Sequence, residues 1–174
     1  MEEKSFQDIM ISFRSIYRKR EILLNYINYY NALISWIKEH INLFSKEQIE
    51  IYRLDVLMNI NPNYYIVDNP ELCLEQEYKR IGERKYDTVD SLLMSISDTL
   101  WDLVTIKSGK NCPNCVFDEL RYVIAVDKKR NILELLLECE TCGWTEYING
   151  KQWAEGIVKI IPACIDDVKN STNK

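Results

Sequence analysis

Two short stretches, NCPNC at residues 111–115 and CETCGW at residues 139–144, decide how the C-terminal part of this chain folds. Each stretch contains two cysteines separated by two residues, and 23 residues lie between the two pairs. A C-x2-C segment places two thiols side by side, and two such segments together supply the four ligands of a tetrahedral metal ion. The pattern therefore predicts one structural Zn2+ bound by Cys112, Cys115, Cys139 and Cys142.

The residues between the two pairs have the pattern of an antiparallel hairpin. Residues 120–126 are rich in β-branched and aromatic side chains, the polar run DKKRN at 127–131 predicts a turn, and residues 132–138 predict a returning strand. This order resembles the zinc ribbon, a rubredoxin-like module of knuckle, hairpin and knuckle, over residues 109–148. The resemblance implies that Pro113 fits the first knuckle and Gly143 the turn after the second. The chain departs from the module at Val116, where such knuckles often have glycine.

A redox function for the C-P-x-C sequence at residues 112–115 is the alternative to metal binding. Redox pairs of this kind lie at the start of a helix that follows a strand. Here Cys115 leads into a predicted strand, and a second pair follows at metal-binding spacing, so zinc is the preferred interpretation. Four thiolates leave no position on the ion for water or substrate, so we expect the metal to fold the ribbon and to do no chemistry.

The remaining cysteines and the single histidine are expected to be structural. Cys73 and Cys164 stand alone in the sequence, and isolated cysteines are most often small buried hydrophobes. His40 lies beside an apolar helical stripe, and no second histidine is available for a catalytic triad or a three-histidine metal site.

The hydrophobic pattern of the first 108 residues predicts a helical domain. Apolar residues recur in steps of three and four between Glu3 and Asn42, which predicts one very long helix, or two helices nearly in line. Such a helix should pack against another helix, either in the same chain or across the seam of a homodimer. Ser45 and Gln48 form a predicted capping box that opens a second helix. A third helix is predicted from Pro70 to about Ile81, and a fourth from Asp87 or Thr88 to before Gly109.

The C-terminal residues extend the β region. WTEYI at 144–148 predicts a third strand, and Asn149-Gly150 predicts a tight turn. The sequence predicts that residues 151–174 form a strand or short helix that packs back, followed by a polar tail from Ser171. The fold class is therefore α+β: an N-terminal helical bundle or long helical hairpin (1–108), a small antiparallel zinc ribbon (109–150) and the C-terminal segment (151–174).

Composition and charge favour a non-enzymatic protein that binds another protein. No stretch of the sequence is long and apolar enough to cross a membrane, and the acidic amino terminus does not resemble a signal peptide, which favours the cytoplasm. The net charge is −5, and residues 61–108 hold nine acidic and five basic side chains. We expect an inhibitor or immunity-type protein that neutralises a basic toxin or nuclease. The predicted contacts are the carboxylates of the third and fourth helices: Glu71, Glu75, Asp98 and Asp102, with Glu77 beside them.

Two other functions compete with this expectation. A transcription-associated ribbon would bind nucleic acid or polymerase through the basic residues at 128–130 and 18–20. A dimeric adaptor would pair through the long first helix. Nucleic acid is the less favoured partner because the basic residues are few and scattered.

Overall fold

The computed structural model describes residues 6–19, 25–65, 73–127, 129–130, 132–154, 156 and 158–172. Within them the chain is α+β, as predicted, with helices first and then an antiparallel sheet that carries the four cysteines. The chain divides into two compact units. The helical unit comprises Met1–Pro62 and Asp68–Leu103, and the sheet unit comprises Asn63–Val67 and Val104–Lys174.

The helical unit is built from short and medium helices. Its α-helices are α1 (Phe6–Ser15), α2 (Tyr26–His40), α3 (Lys46–Ile51), α4 (Leu54–Leu57), α5 (Leu74–Glu77) and α6 (Val89–Leu103). Three-residue 3-10 turns cover Ile16–Arg18 and Ile41–Leu43, and a π-helical turn covers Tyr78–Gly82. A further 3-10 turn, Pro62–Tyr64, begins at the last residue of this unit's first segment.

The prediction of one long first helix, or of two helices in line, is wrong. Contacts pair the two helices in antiparallel order: the Phe13 and Trp36 rings are 5.3 Å apart, and the hydroxyls of Tyr17 and Tyr29 are 2.7 Å apart. The first helix ends because the chain tightens into a 3-10 turn and leaves helical backbone at Lys19. The second begins at Asn25, whose side chain accepts the Asn28 N–H at 2.8 Å as an N-cap.

Much of the apolar stripe from which a dimer seam was predicted is buried within the helical unit. Phe13, Leu33 and Ile37 have no solvent exposure at all in the single chain. Amphipathic helices that follow one another in the sequence keep a common apolar period whether they continue in line or fold back. Periodicity therefore identified the buried side chains but could not distinguish the two arrangements.

Both ring nitrogens of His40 have hydrogen-bond partners within the same hairpin. Its Nδ1 lies 2.9 Å from the Trp36 carbonyl, which can only accept, so Nδ1 carries the proton. Nε2 lies within hydrogen-bond distance of the Ser12 hydroxyl, at 3.1 Å, and the ring stacks on Trp36.

The predicted second and fourth helices begin where expected. The third was predicted from Pro70, which lies outside the described residues, and the described helix α5 begins at Leu74. Ser45 and Gln48 form the capping box of α3, and the Thr88 hydroxyl accepts the Ser91 N–H at 3.2 Å at the start of α6. The helical core joins these elements. Its largest fully buried side chains are Tyr29, Tyr30, Phe13, Leu33, Ile37, Leu54, Leu57, Leu92, Leu93, Ile96 and Leu100.

The sheet unit is organised around one central hairpin. Its strands are β1 (Lys107–Asn111), β2 (Glu119–Asp127), β3 (Ile132–Glu138), β4 (Thr145–Tyr147) and β5 (Lys159–Pro162), followed by α7 (Ile165–Thr172). Strands β2 and β3 pair antiparallel from Arg121↔Glu138 to Asp127↔Ile132, as predicted. Strand β4 pairs with β3, while β1 and β5 both pair with β2.

The C-terminal segment forms a strand followed by a helix. The predicted tight turn is present, with the Gly150 N–H donating to the Tyr147 carbonyl at 2.9 Å. Strand β5 then pairs with β2, which resolves the predicted choice between strand and helix. The polar tail predicted from Ser171 is partly helical, because α7 extends to Thr172. Its N-terminus is capped by Asp167, which accepts the Cys164 N–H at 2.9 Å.

Across the part of the chain that the structure describes, no helix has the length and apolar character needed to cross a membrane.

The buried tyrosine pair provides a test of the helical hairpin. Tyr17→Phe and Tyr29→Phe each leave one buried hydroxyl without its partner, so each should lower the free energy of unfolding by about 1 to 2 kcal/mol. The double variant removes both hydroxyls, and its loss should be smaller than the sum by about 1 kcal/mol. Urea denaturation of the four proteins measures this coupling. Additive losses would contradict the antiparallel pairing.

Candidate metal centre

The first cysteine pair lies on a turn that follows β1. The Cys112 N–H donates to the Asp118 carbonyl at 2.8 Å, and the Val116 N–H donates to the Cys112 carbonyl at 3.0 Å. These two bonds close the segment 112–118 into a tight knuckle. Both Cys112 and Cys115 therefore lie on one side of the turn, facing the second pair.

The second pair repeats this geometry after β3. The Cys139 N–H donates to the Trp144 carbonyl at 2.8 Å, and the Gly143 N–H donates to the Cys139 carbonyl at 2.9 Å. The register of β2 against β3 brings the two knuckles to the same end of the hairpin, because Arg121, close to the first knuckle, pairs with Glu138, next to Cys139.

The four cysteine sulfurs converge and can hold one metal ion. All four Sγ atoms lie within 4.8 Å of one another, and the pairs Cys112–Cys142 and Cys115–Cys139 are 3.5 and 3.6 Å apart. A tetrahedron with metal–sulfur bonds of about 2.3 Å has sulfur–sulfur edges of about 3.8 Å, which these distances match. All four cysteines are free thiols.

The surroundings of the sulfurs combine burial with hydrogen bonding. Cys112 and Cys139 have no solvent exposure and pack with Leu120 and Leu137, whereas Cys142 is exposed. Hydrogen bonds from the Asn114 side chain and the Trp144 backbone N–H lower the pKa of Cys142 to about 6. Burial raises the pKa of Cys139 to about 12. The Cys142 thiol therefore loses its proton more readily than the Cys139 thiol, and an incoming cation would displace the Cys139 proton.

The donor set and its geometry fit a structural metal site. Four thiolates would fill all four positions of a tetrahedral ion and leave none for water or substrate. Among the described residues, these cysteines are the one group of three or more metal-ligating side chains that lie close together.

Ion pairs join the strands next to the sulfur cluster. Arg121 is buried and forms ion pairs with Glu138 at 2.9 Å and with Glu140 at 3.0 Å. Glu146 is also buried, and it accepts hydrogen bonds from Lys110 and from the Trp144 ring N–H. Sequence reasoning missed both buried charges. The signal available for Arg121 was a single charged residue inside an otherwise apolar strand.

The first knuckle contains a strained residue and two exposed apolar side chains. Val116 has a φ of +55°, in the left-handed region that β-branched residues avoid. Gly143 occupies the matching position of the second knuckle with a φ of +72° and makes the matching hydrogen bond. Val116 is 68% exposed and Phe117 is 91% exposed. The turn therefore requires this backbone conformation in both knuckles, but only one has the glycine that adopts it freely.

Three of the four acidic residues predicted to contact a partner are described, and all three are exposed: Glu75, Asp98 and Asp102. Glu71 lies outside the described residues. Glu75 pairs with Lys79 at 2.5 Å on the surface of the helical unit. Arg80 links Glu77 at 2.9 Å to Asp102 at 3.5 Å, so part of this negative charge is balanced locally. The carboxylates of Asp98 and Asp102 are both exposed on α6.

The basic residues named for nucleic-acid binding are also only partly available. Lys128 and Arg20 lie outside the described residues. Arg130 pairs with Asp127 at 2.5 Å, which neutralises one of the cations at the hairpin tip. Lys129 and Arg18 are exposed.

Neither of the two lone cysteines belongs to the four-cysteine group. The prediction that Cys73 is buried is wrong: it is exposed, and it immediately precedes α5, with its carbonyl accepting the Glu77 N–H. Cys164 is half-buried before α7.

Comparison of the chain with family models, with curated proteins and with solved structures gives no match.

The sulfur cluster predicts a defined metal content. Protein purified without chelator should contain one metal ion per chain, and Cys139→Ser should lose it because only three thiolates remain. Elemental analysis by plasma mass spectrometry measures the ratio. The matched control is Cys73→Ser with Cys164→Ser, which should retain full metal content. Loss of metal from the control, or its retention in Cys139→Ser, would contradict the assignment.

The two knuckles predict opposite effects of a reciprocal exchange. Val116→Gly should raise the free energy of unfolding by about 0.5 to 1 kcal/mol, because glycine adopts the left-handed conformation without the steric cost. Gly143→Val should lower it by at least as much, although a Cβ at Gly143 meets nothing within 4 Å. Thermal unfolding of both metal-loaded variants measures the changes. If Gly143→Val stabilised the protein, the left-handed backbone at this position of the knuckles would not be strained for valine, which would contradict the prediction.

Proposed function

We propose that this chain is a non-enzymatic zinc protein of the cytoplasm that acts by binding another protein. The observation that carries the proposal is the convergence of four cysteine sulfurs at the spacing of a tetrahedral ion. Thiolate ligands favour Zn2+ among the common cellular divalent ions, and a four-thiolate zinc site is structural. Zinc would then fold the sheet unit, and function would reside on the surface that the folded unit presents.

The net charge supports a basic partner. The chain has a net charge of −5, and an acidic protein associates rapidly with a cationic one through long-range attraction. We therefore propose an inhibitor or immunity-type protein that covers the cationic surface of a toxin or nuclease. The ion pair between Arg130 and Asp127 weakens the case for the hairpin tip as a phosphate-binding site.

The proposal is tested with the zinc-loaded full chain and the purified basic proteins encoded by the genes adjacent to its own. Isothermal titration calorimetry should detect one of them binding with one-to-one stoichiometry. The Kd should rise by at least about tenfold when the salt concentration increases from about 0.05 M to about 0.5 M. Fluorescence anisotropy with duplex DNA and single-stranded RNA provides the comparison. Binding to nucleic acid, together with no binding to any of these proteins, would overturn the proposal.

A further inference from the structure

Val116 has a left-handed backbone conformation that is unfavourable for valine, although glycine would adopt it without steric cost. The two knuckles share one geometry, and the second uses glycine at the position where the first uses valine. A strained residue persists when another requirement outweighs its cost, and such residues concentrate at functional positions. Because the Val116 side chain is 68% exposed, little of that requirement can be packing within this chain.

Phe117 extends the same exposed apolar surface. At 91% exposure it is the most exposed of the large hydrophobic side chains in the described residues, and it follows Val116 directly in the sequence. The backbone of both residues is fixed by the bonds that close the knuckle, from Val116 to the Cys112 carbonyl and from Cys112 to the Asp118 carbonyl. A large apolar side chain on a rigid turn is suited to insertion into a pocket, because little conformational entropy is lost on binding.

The charge around this apolar pair defines the chemistry of the partner. Residues 107–121 and 138–147, which carry the two knuckles, contain three basic side chains and five acidic ones: Asp118, Glu119, Glu138, Glu140 and the buried Glu146. Four thiolates around a divalent ion add a further net charge of about −2. Lys107 and Arg121 are engaged with Asp118, Glu138 and Glu140. Lys110 is likewise paired with Glu146, so the segments that carry the apolar pair have a net negative charge and all three of their basic side chains are engaged.

We propose that Val116 and Phe117 form the anchor of a protein-binding surface, and that they insert into an apolar pocket rimmed by lysine and arginine on a partner protein. This inference rests on the proposed function and names the contact for it. The partner's cations would face the carboxylates and the thiolate centre while its pocket covers the two apolar side chains. The acidic surroundings disfavour a phosphate backbone at this surface.

The experiment compares variants of the zinc-loaded full chain for binding to the basic protein identified by the calorimetry described above. Phe117→Ala and Val116→Gly should each raise the Kd at least about tenfold, as expected for an anchor residue. Val116→Gly is the decisive variant because it should raise the melting temperature, so its loss of affinity cannot arise from poorer folding. The matched control, Leu133→Ala, removes a side chain of 73% exposure from β3 and should leave the Kd unchanged.

The outcomes separate the anchor from the broader function. If the wild-type chain binds its basic partner and both knuckle variants bind equally well, the anchor is overturned and the proposed function stands. If affinity is lost only in the double variant Asp98→Asn/Asp102→Asn, the contact lies on α6. That result would overturn the anchor and leave the proposed function standing. A wild-type dimer in sedimentation that dissociates in Phe117→Ala would assign the surface to a second copy of the chain and overturn the inference. Failure of the wild-type chain to bind any of the basic proteins would overturn both proposals.

Discussion

The convergence of four cysteine sulfurs is the constraint on which the sheet unit depends. Each knuckle is short and closed by its own backbone hydrogen bonds, and the β2–β3 register fixes the distance between them. The buried ion pairs of Arg121 and Glu146 lie next to the same cluster and need its surrounding strands in place. A bound ion in a site of this kind supplies about 10 to 16 kcal/mol of apparent binding free energy, which is comparable to the whole stability of a domain.

The helical unit has a different source of stability. Its core is made of aromatic and aliphatic side chains from both helices of the hairpin and from α4 and α6, and its described residues include no cluster of metal-ligating side chains. Hydrogen bonds join polar groups inside that core, as the Tyr17–Tyr29 hydroxyls and the Ser12–His40 contact illustrate. Burial raises the pKa of both tyrosines above the ordinary value, so both remain neutral and can share one hydrogen bond. Metal removal is therefore expected to affect the sheet unit first.

How far the fold could be predicted from the sequence depended on whether its signals were local. Cysteine spacing identified the metal cluster, and the alternation of strands and turn residues located β2, β3 and the turn at Gly150. The capping box at Ser45 was equally local. The reversal of the chain between α1 and α2 had no such local signal in the hydrophobic pattern, because the periodicity is the same for helices in line and for helices folded back. The signal that was overlooked is Asn25, which serves as the N-cap of α2. Strand β1 is polar and was missed, since its pairing with β2 is a tertiary property.

The candidate site shows the same division. The departure at Val116 was visible in the sequence, but its left-handed backbone and its exposure beside Phe117 required the structure. The local balancing of the predicted acidic contacts by Lys79 and Arg80 also emerged only from side-chain geometry.

We propose that the four cysteines form a closed four-sulfur zinc shell that supports a binding surface. X-ray absorption at the zinc edge of the purified protein tests this proposal. A closed shell should give four sulfur ligands at about 2.3 Å and no lighter ligand. An oxygen or nitrogen ligand at about 2.0 to 2.1 Å, with three sulfurs or fewer, would show an open position on the metal and contradict it.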